Sequence, residues 1–391
     1  MNAKDYCHMV DSDRLSRIFC DLVQIDSPSR NEKSVVEYLR ELFAREFGAQ
    51  VFVDDTAEKT GSNTGNLIIK LDGGLKKAPV FFNAHLDTVE PGTGIKVLFQ
   101  DGCFRSDGST VLGGDDKAAI AILIESLQIL KENNIPFGPV ELVFTVCEEI
   151  GLLGAKALDT SVLDAKAGYA LDSTDPDVVI HQAPAAIRFQ GKIIGKAAHA
   201  GLNPEDGINA IQLAAQAISR LKLGRIDKET TCNIGLIRGG QATNIVPELV
   251  VIDGEVRSHD KDMLRRVQDD ILGTLYKTVS DARDQDSLSS SVNLPRVEIE
   301  VYDDYPLMSV PSDEVVVKSV MEAGQRQGRQ LRLERTGGGS DASIFNGKGI
   351  KTLILGIGMQ QVHTTEEFIR LEDMIKTVSL VLGIIEVWPA G

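Results

Sequence analysis

Short runs of continuously apolar residues, separated by helical segments, constrain the fold more than any other feature of this sequence. The runs include APVFFNAHLDTV, VELVFTVCEE, GYALDST and KTLILGIGM. A strand that is apolar along its whole length is typical of a sheet that is covered on both faces. Helical segments such as KAAIAILIESLQILKENN lie between the runs. Strands that alternate with helices predict an α/β fold with a doubly wound, mostly parallel sheet.

The middle of the chain has a different pattern. AAIRFQGKIIG alternates apolar and polar residues, as a half-solvated antiparallel strand does. Helices are predicted over residues 207–221 and in KDMLRRVQDDILGTLYKTVSDARD, and further strands in TCNIGLIRGG, ELVVIDGEVRS and RVEIEVYDD. We therefore expect residues 183–303 to form an inserted α+β lid domain. The α/β domain would then consist of residues 1–182 and 304–391.

Composition restricts the partners and the compartment. The 391 residues include 57 Asp plus Glu and 41 Lys plus Arg, a formal net charge of -16. So acidic a protein repels nucleic-acid phosphates and anionic membranes, and we expect neither as a partner. The longest apolar stretch contains Glu125, so no membrane helix is predicted. Five cysteines without CxxC spacing, and an N-terminus without an apolar signal core, predict a cytoplasmic location.

Four of the apolar runs lead into residue types that bind metal ions. These residues are His85 and Asp87, Glu148 and Glu149, Asp172, and His363. Ligands bind outside the carboxyl ends of the strands in open α/β sheets, so we expect these side chains to meet in one crevice. Asp115 and Asp116 follow two glycines directly before a predicted helix. We expect them to belong to the same crevice.

Each piece alone also fits an ordinary structural role. His85 and Asp87 could be a surface pair, the two glutamates a solvated helix start, and Asp115 a capping residue. The combination favours a metal site, because crowded carboxylates repel one another unless cations offset their charge. Imidazoles and carboxylates without sulfur are typical ligands of first-row divalent ions.

Motifs spread over nearly the whole chain resemble those of the M20 family of metallopeptidases. In chain order they are HLDTV, GGDDKAA, FTVCEEIGLLGAK, YALDS, GKAAHAGLNPEDGINAI, GGQATNIVPELVVIDGEVRS and HTTEEF. DDK followed by Ala, and GGGSDAS, are most similar to the peptidase T (tripeptide aminopeptidase) branch. The resemblance implies two zinc ions, with cobalt or manganese as alternatives. It implies that His85 and Asp172 bind one ion, that Glu149 and His363 bind the other, and that Asp115 bridges both. It also implies that the Asp115–Asp116 peptide bond is cis.

The resemblance also implies catalytic roles. Glu148 would be the general base and acid, and Asp87 would lie behind His85 and set its tautomer. His199 would stabilise the oxyanion, often from a partner subunit, which requires lid closure and a homodimer through the inserted domain. From the residues alone, His199 fits a structural turn equally well.

Substrate contacts are implied for four further residues. Asn244 and Arg257 would bind the substrate backbone or its terminal carboxylate, although Arg257 fits a surface ion pair equally well. Ser340 and Asp341 lie in a loop near the site by analogy, and Asp341 would receive the free amine of a peptide.

These observations predict a cytoplasmic dizinc exopeptidase that releases N-terminal residues from short peptides. A carboxypeptidase or an N-acyl-amino-acid deacylase would use the same mechanism on another substrate. Asp115 follows Asp87 by only 28 positions. Longer peptidase T chains carry extra sequence here, which leaves the peptide specificity open. A binding protein without catalysis would often lack Glu148, and a dinucleotide binder would need a GxGxxG after its first strand.

Overall fold

The computed structural model describes residues 5–285 and 293–390. Its helices are α1 (Ser12–Val23), α2 (Lys33–Phe47), α3 (Ala57–Thr60), α4 (Gly114–Glu132), α5 (Leu153–Ala157), α6 (Ala210–Arg220), α7 (Lys261–Gln285), α8 (Val315–Arg326), α9 (Asp341–Gly347) and α10 (Leu371–Val387). Its strands are β1 (Gln50–Val53), β2 (Leu67–Leu71), β3 (Val80–His85), β4 (Val97–Gln100), β5 (Cys103–Ser106), β6 (Val140–Thr145), β7 (Ala167–Ser173), β8 (Val178–Ala183), β9 (Ala185–Ile194), β10 (Gly224–Arg225), β11 (Thr230–Gly239), β12 (Leu249–Ser258), β13 (Arg296–Tyr305), β14 (Met308–Ser309), β15 (Arg332–Arg335), β16 (Lys351–Gly356), β17 (Met359–Gln360) and β18 (Phe368–Arg370).

The chain divides into two compact units. The first takes the described residues of Met1–Gln182, Met308–Thr336 and Ser340–Gly391. The second takes those of Ala183–Leu307 together with Gly337–Gly339. It continues past residue 303 because β13 stays paired with β9 as far as Tyr305.

The first unit is built on a nine-stranded sheet. Its strand order is β1-β2-β6-β3-β7-β16-β8-β14, and β15 pairs with β8. The neighbours β6, β3, β7 and β16 run parallel to one another, whereas β1, β2 and the β16–β8 pair add antiparallel ladders. Parallel neighbours need long crossover connections, which the intervening helices supply. The predicted α/β class with a mostly parallel sheet is confirmed.

Aromatic packing shows that both faces of the parallel strands are covered. Consecutive residues of a strand point to opposite faces, and Phe81 and Phe82 of β3 are both fully buried. The ring of Phe81 contacts that of Phe345 in α9 at a centroid distance of 5.1 Å. The ring of Phe82 stacks on Tyr169, which contacts Trp388 just after α10. Helix α9 and the end of α10 therefore cover opposite faces.

Helix α4 is the central crossover between β3 and β6. It packs against β3 and β7 and is buried continuously from Gly114 to Leu127, as expected of a helix that is apolar all round. Its first turn departs from helical geometry at Asp115 and Asp116, and the peptide bond between them is cis, as the resemblance implies. No helix in the described residues is long and apolar enough to cross a bilayer.

The second unit has one antiparallel sheet with the strand order β10-β11-β12-β9-β13. Helices α6 and α7 pack against it. Apolar residues of β9 and β12 form its core with residues of both helices, among them Ile187, Phe189, Ile252 and Leu275. Polar side chains alternate with these along β9, which accounts for the half-buried pattern of this strand.

Candidate metal centre

Strand register brings two of the predicted ligands level with each other. In the parallel ladders, His85 of β3 is opposite Thr145 of β6, and Asn83 is opposite Ala170 of β7. Residues two apart on a strand share a face. His85 and Asp172 therefore come level on one face at the carboxyl end of the sheet, and the turn after β6 begins beside them.

The structure gathers six predicted residues at this end of the sheet. Their ligand atoms form three overlapping groups, and within each group the atoms lie within 4.8 Å of one another. The groups are His85, Asp115 and Asp172; His85, Glu148 and Glu149; and Asp115, Glu149 and His363. Residues as far apart in sequence as His85 and His363 therefore surround one small volume.

Asp115 lies between the two imidazoles. Its Oδ1 is 2.9 Å from Nε2 of His85, and its Oδ2 is 3.3 Å from Nε2 of His363. Nε2 of His363 is also 3.0 Å from Oε1 of Glu149. A carboxylate with one oxygen directed at each imidazole could be shared between two cations.

The electrostatics of the cluster favour positive charge among the carboxylates. Burial acts to raise the pKa of Asp115, but hydrogen bonds from His363 and His85 outweigh it and hold that pKa below its usual range. Hydrogen bonds with Asp115 and Glu149 raise the pKa of His363 to about 10. The imidazoles are thereby stabilised in the charged form.

Two carboxyls of the cluster have no such partner. Exclusion of solvent raises the pKa of Glu148, and the nearby Asp172 raises it further against the opposing effect of His85. Burial and the charge of Asp115 likewise raise the pKa of Asp172. Carboxyls that resist ionisation beside other carboxylates are those whose charged form a nearby divalent cation would stabilise.

The donor set fits a pair of divalent cations. It consists of imidazole nitrogens and carboxylate oxygens without sulfur, the combination that zinc and neighbouring first-row ions accept. The adjacent Asp116 is fully buried, and its Oδ1 has no hydrogen-bond partner among the described residues. Its Oδ2 accepts a hydrogen bond from the N–H of His85, 3.1 Å away. Burial raises the pKa of Asp116 well above its usual range, so this carboxyl would ionise only with a cation nearby.

Asp87 contacts more than the imidazole. Nδ1 of His85 is 2.9 Å from the main-chain oxygen of Asp87 and 3.6 Å from its carboxylate. A carbonyl oxygen can only accept, so Nδ1 carries a proton and Nε2 faces the cluster. The carboxylate of Asp87 accepts hydrogen bonds from the N–H groups of Glu148 (2.9 Å) and Glu149 (3.2 Å) and from Oγ of Ser29 (2.6 Å).

Comparison with known proteins identifies the family of this chain. The sequence model of peptidase family M20/M25/M40 matches residues 81–387. The chain belongs to this family. It is a metallopeptidase, a hydrolase of peptide or amide bonds, which confirms the resemblance drawn from the motifs.

Several relatives of this M20 peptidase match over nearly its whole length. A Bacillus subtilis protein named YqjE is 40% identical over 97% of this chain and 99% of its own. The crystal structure of the aminopeptidase PepT from Bacillus cereus is 40% identical with a TM-score of 0.86, and that of a tripeptidase from Staphylococcus aureus is 38% identical with a TM-score of 0.89. Each covers 97% of this chain and 99% of the other.

Sequence reasoning missed buried charged residues around the metal centre of this M20 peptidase. Oε1 of Glu32 accepts hydrogen bonds from the N–H groups of Arg30 (2.9 Å) and Cys147 (3.0 Å), next to Glu148. Nζ of Lys117 donates to the main-chain oxygen of Ile25 (2.6 Å), and burial lowers the pKa of this lysine to about 7.

Glu367 was missed as well. It is buried beneath the main chain that leads into Asp115. The one sequence signal for it is its place in the HTTEEF motif, four residues after His363. A single acidic residue in a loop carries no pattern that indicates burial.

Ser340 and Asp341 begin α9. Oγ of Ser340 caps the helix by accepting from the N–H of Ala342 (3.2 Å). Oδ2 of Asp341 accepts from Oγ1 of Thr145 (2.5 Å), and its Oδ1 is buried without a partner in the described residues. Burial raises the pKa of Asp341 to about 6. The substrate roles of both residues stay predictions.

The remaining predicted residues belong to the second unit. His199 is exposed, and its Nδ1 accepts hydrogen bonds from the N–H groups of Gly201 (3.2 Å) and Leu202 (3.1 Å). The main-chain oxygen of Asn244 accepts from the N–H of Ala200 (2.9 Å), so these two segments are neighbours.

Arg257 makes an ion pair in the second unit. Its Nε is 2.9 Å from Oε1 of Glu255, and its Nη2 is 3.1 Å from Oε2. A guanidinium bound in this bidentate way is already neutralised. The catalytic and substrate roles of His199, Asn244 and Arg257 stay predictions.

Proposed function

We propose that this M20 metallopeptidase is a dinuclear zinc exopeptidase that releases N-terminal residues from short peptides. The proposal depends above all on the convergence of five ligand side chains and Glu148 at the carboxyl end of the sheet. The substrate class is supported by the similarity to the PepT aminopeptidase and to the tripeptidase, at 40% and 38% identity.

In this proposal each imidazole belongs to one ion. His85 and Asp172 would hold the first cation, Glu149 and His363 would hold the second, and Asp115 would be shared by both. Two such cations, when bound, polarise the scissile carbonyl and bring the pKa of a water molecule toward neutrality. Cobalt or manganese could occupy the same donor set.

Glu148 moves the proton. Oε1 of the neighbouring Glu149 contacts Nε2 of His363. Glu148 is therefore the glutamate of the pair that is proposed to reach the water molecule. It removes a proton from the attacking water and transfers it to the leaving amine. Asp87 orients both glutamates through their N–H groups.

His199 supplies a hydrogen-bond donor to the oxyanion. Nδ1 accepts from two main-chain N–H groups, so the proton of the neutral ring is on Nε2, which is free to donate to a developing negative charge. This contact is proposed to form in a homodimer upon lid closure.

Specificity for a free amine is proposed to come from Asp341. Its Oδ1 is an acceptor without a partner in the described residues, and an ammonium group would satisfy it. Ser340 and Asn244 would contact the peptide main chain. Arg257 would bind the terminal carboxylate in competition with Glu255.

The homodimer is proposed to form along β11. The short strand β10 pairs only with Thr231 and Cys232, which leaves the second half of β11 at the sheet edge. Leu236 and Ile237 in that half are 53% and 55% exposed. Exposed apolar edge strands favour pairing with another chain.

We further propose a cytoplasmic location. All five cysteines are free, as is usual for proteins of a reducing compartment.

Metal analysis together with a peptide panel tests the function. We expect about two equivalents of metal per chain and release of the N-terminal residue from free tripeptides, followed by mass spectrometry. N-acetylation of the same tripeptides should abolish turnover. Release of the C-terminal residue would assign a carboxypeptidase instead, and cleavage confined to N-acyl amino acids would assign a deacylase.

A further inference from the structure

Glu367 binds three main-chain amides at the start of α4. Glu367 is only 2% exposed and lies 252 positions after Asp115 in the sequence. Oε2 accepts from the N–H groups of Leu112 (2.8 Å) and Gly113 (2.9 Å), and Oε1 accepts from that of Asp115 (2.9 Å). Both oxygens of this carboxylate are therefore used on one short turn.

Part of this turn departs from regular helical geometry. Gly113 has a positive φ of 72°, and the dihedral angles of Asp115 and Asp116 are not helical. N–H groups at the start of a helix have no partner within the helix. A carboxylate that accepts from one of them, at Asp115, and from the two N–H groups just before the helix fixes the backbone from which the Asp115 side chain extends. A carbon at the Cβ position of Gly114 would be 3.0 Å from Oε1 of Glu367, so the contact is close.

Glu367 also belongs to the segment that carries His363. Its N–H donates to the main-chain oxygen of Thr364 (3.1 Å), and Phe368 then begins β18. His363 itself has a positive φ of 62°, and its imidazole faces Asp115. Through Glu367, the segment with one imidazole is tied to the turn with the central carboxylate.

We propose that Glu367 is a positioning residue of the metal centre. It fixes the position of the Asp115 main chain relative to His363, so that both side chains can bind the same pair of cations. The assignment rests on the proposed dinuclear site. Positioning of ligands to within about half an ångström is what such a centre requires of its supporting groups.

A purely structural helix cap would show the same hydrogen bonds, so the test must separate metal affinity from stability. Glu141 is the matched control. It is equally buried and accepts from the N–H groups of Asp164 and Ala165, but it lies in β6 one residue from the strand's amino end. Loss of its carboxylate should lower stability without altering the metal centre.

The experiment compares Glu367→Gln, Glu367→Asp and Glu141→Gln with the parent protein. Zinc affinity is measured by competition with a chromophoric chelator, zinc stoichiometry by elemental analysis, and thermal stability in excess EDTA. In Glu367→Gln the side-chain NH2 would face a main-chain N–H, and two donors cannot form a hydrogen bond. Asp keeps the charge but is one methylene shorter and cannot reach all three amides.

We expect Glu367→Gln and Glu367→Asp each to weaken zinc binding at one or both sites about tenfold or more. Glu141→Gln should bind zinc as the parent does, whatever its melting temperature. Should Glu367→Gln not fold, Glu367→Asp decides.

Parental zinc affinity in both Glu367 variants would overturn the assignment, even if both melt earlier. Parental affinity in Glu367→Asp alone would overturn it too, since charge and not reach would then matter. A parent protein that binds no divalent cation would instead overturn the proposed function, and the assignment with it.

Discussion

Buried carboxylates in this peptidase support the active-site main chain as well as surrounding the metal centre. The turn after β6 presents three consecutive N–H groups to two of them. Cys147 donates to Glu32, and Glu148 and Glu149 donate to Asp87. The turn needs this support because Cys147 has a φ of 54°, which side chains with a Cβ rarely adopt.

Glu32→Ala tests this support. Removal of the carboxylate leaves the N–H of Cys147 without the acceptor that Oε1 provides, so Glu148 should lose its alignment. We expect kcat to fall about tenfold or more with a smaller change in KM, and the free energy of unfolding to fall by about 1–3 kcal/mol. Steady-state kinetics and urea unfolding measure both quantities. An unchanged kcat, with the stability loss present, would make Glu32 a purely structural residue.

Replacement of Glu148 separates catalysis from metal binding. Because Glu148 is proposed to transfer protons and not to hold a cation, Glu148→Ala should lower kcat by about 10²–10⁴-fold and retain the parental metal content. Glu149→Ala is the neighbouring control and should lose metal. If Glu148→Ala hydrolyses tripeptides as fast as the parent, the catalytic role of Glu148 is wrong.

At the scale of elements, the first turns of α4 and α9 deliver the residues around the centre. Asp115 begins α4, and Ser340 caps α9 directly before Asp341. Carboxylates near a helix N-terminus are stabilised by the helix dipole. Both helices therefore place a carboxylate, Asp115 or Asp341, in their first turn.

Ser340→Ala measures the structural part for α9. Loss of the cap should lower the free energy of unfolding by about 1 kcal/mol, and Ser340→Asp, which can also cap, should restore it. Chemical denaturation and KM for a tripeptide are measured together. A raised KM with unchanged stability would instead assign Ser340 to the substrate alone.

The whole molecule combines an acidic surface with a crowded acidic centre, so bound cations should contribute to its stability. A ligand that binds only the folded state adds about 4 kcal/mol when its free concentration is about 1,000 times its Kd. Chelation should therefore lower the melting temperature, and zinc should restore it. Differential scanning fluorimetry of the parent and of Glu149→Ala, which should respond less, tests this expectation. Equal melting curves with and without zinc would contradict a dinuclear site.

Oligomeric state is also a property of the whole molecule. Leu236→Lys places a charge on the edge of β11 and should convert the proposed dimer to monomers in sedimentation experiments. Leu98→Lys is the matched control, because Leu98 is 54% exposed on β4, the edge strand of a separate four-stranded sheet with the order β17-β18-β5-β4. A dimer that persists in Leu236→Lys would rule out β11 as the interface.

Local patterns along the chain were sufficient for the α/β class, and the resemblance of its motifs to the M20 family implied the class of enzyme. Strand burial appears as unbroken apolar runs, and the strand ends after Ala84 and Leu171 carry residue types that can bind metal ions. These signals are local because periodicity and composition depend on neighbours in sequence.

Only the tertiary structure revealed how the main chain around the centre is held. Glu32 reaches an amide 115 positions away and Glu367 one 252 positions away. It also placed the carboxylate of Asp87 on two N–H groups and not solely on His85. A hydrogen bond between distant segments imposes no period or composition on either one, so it becomes visible only once the strands lie side by side.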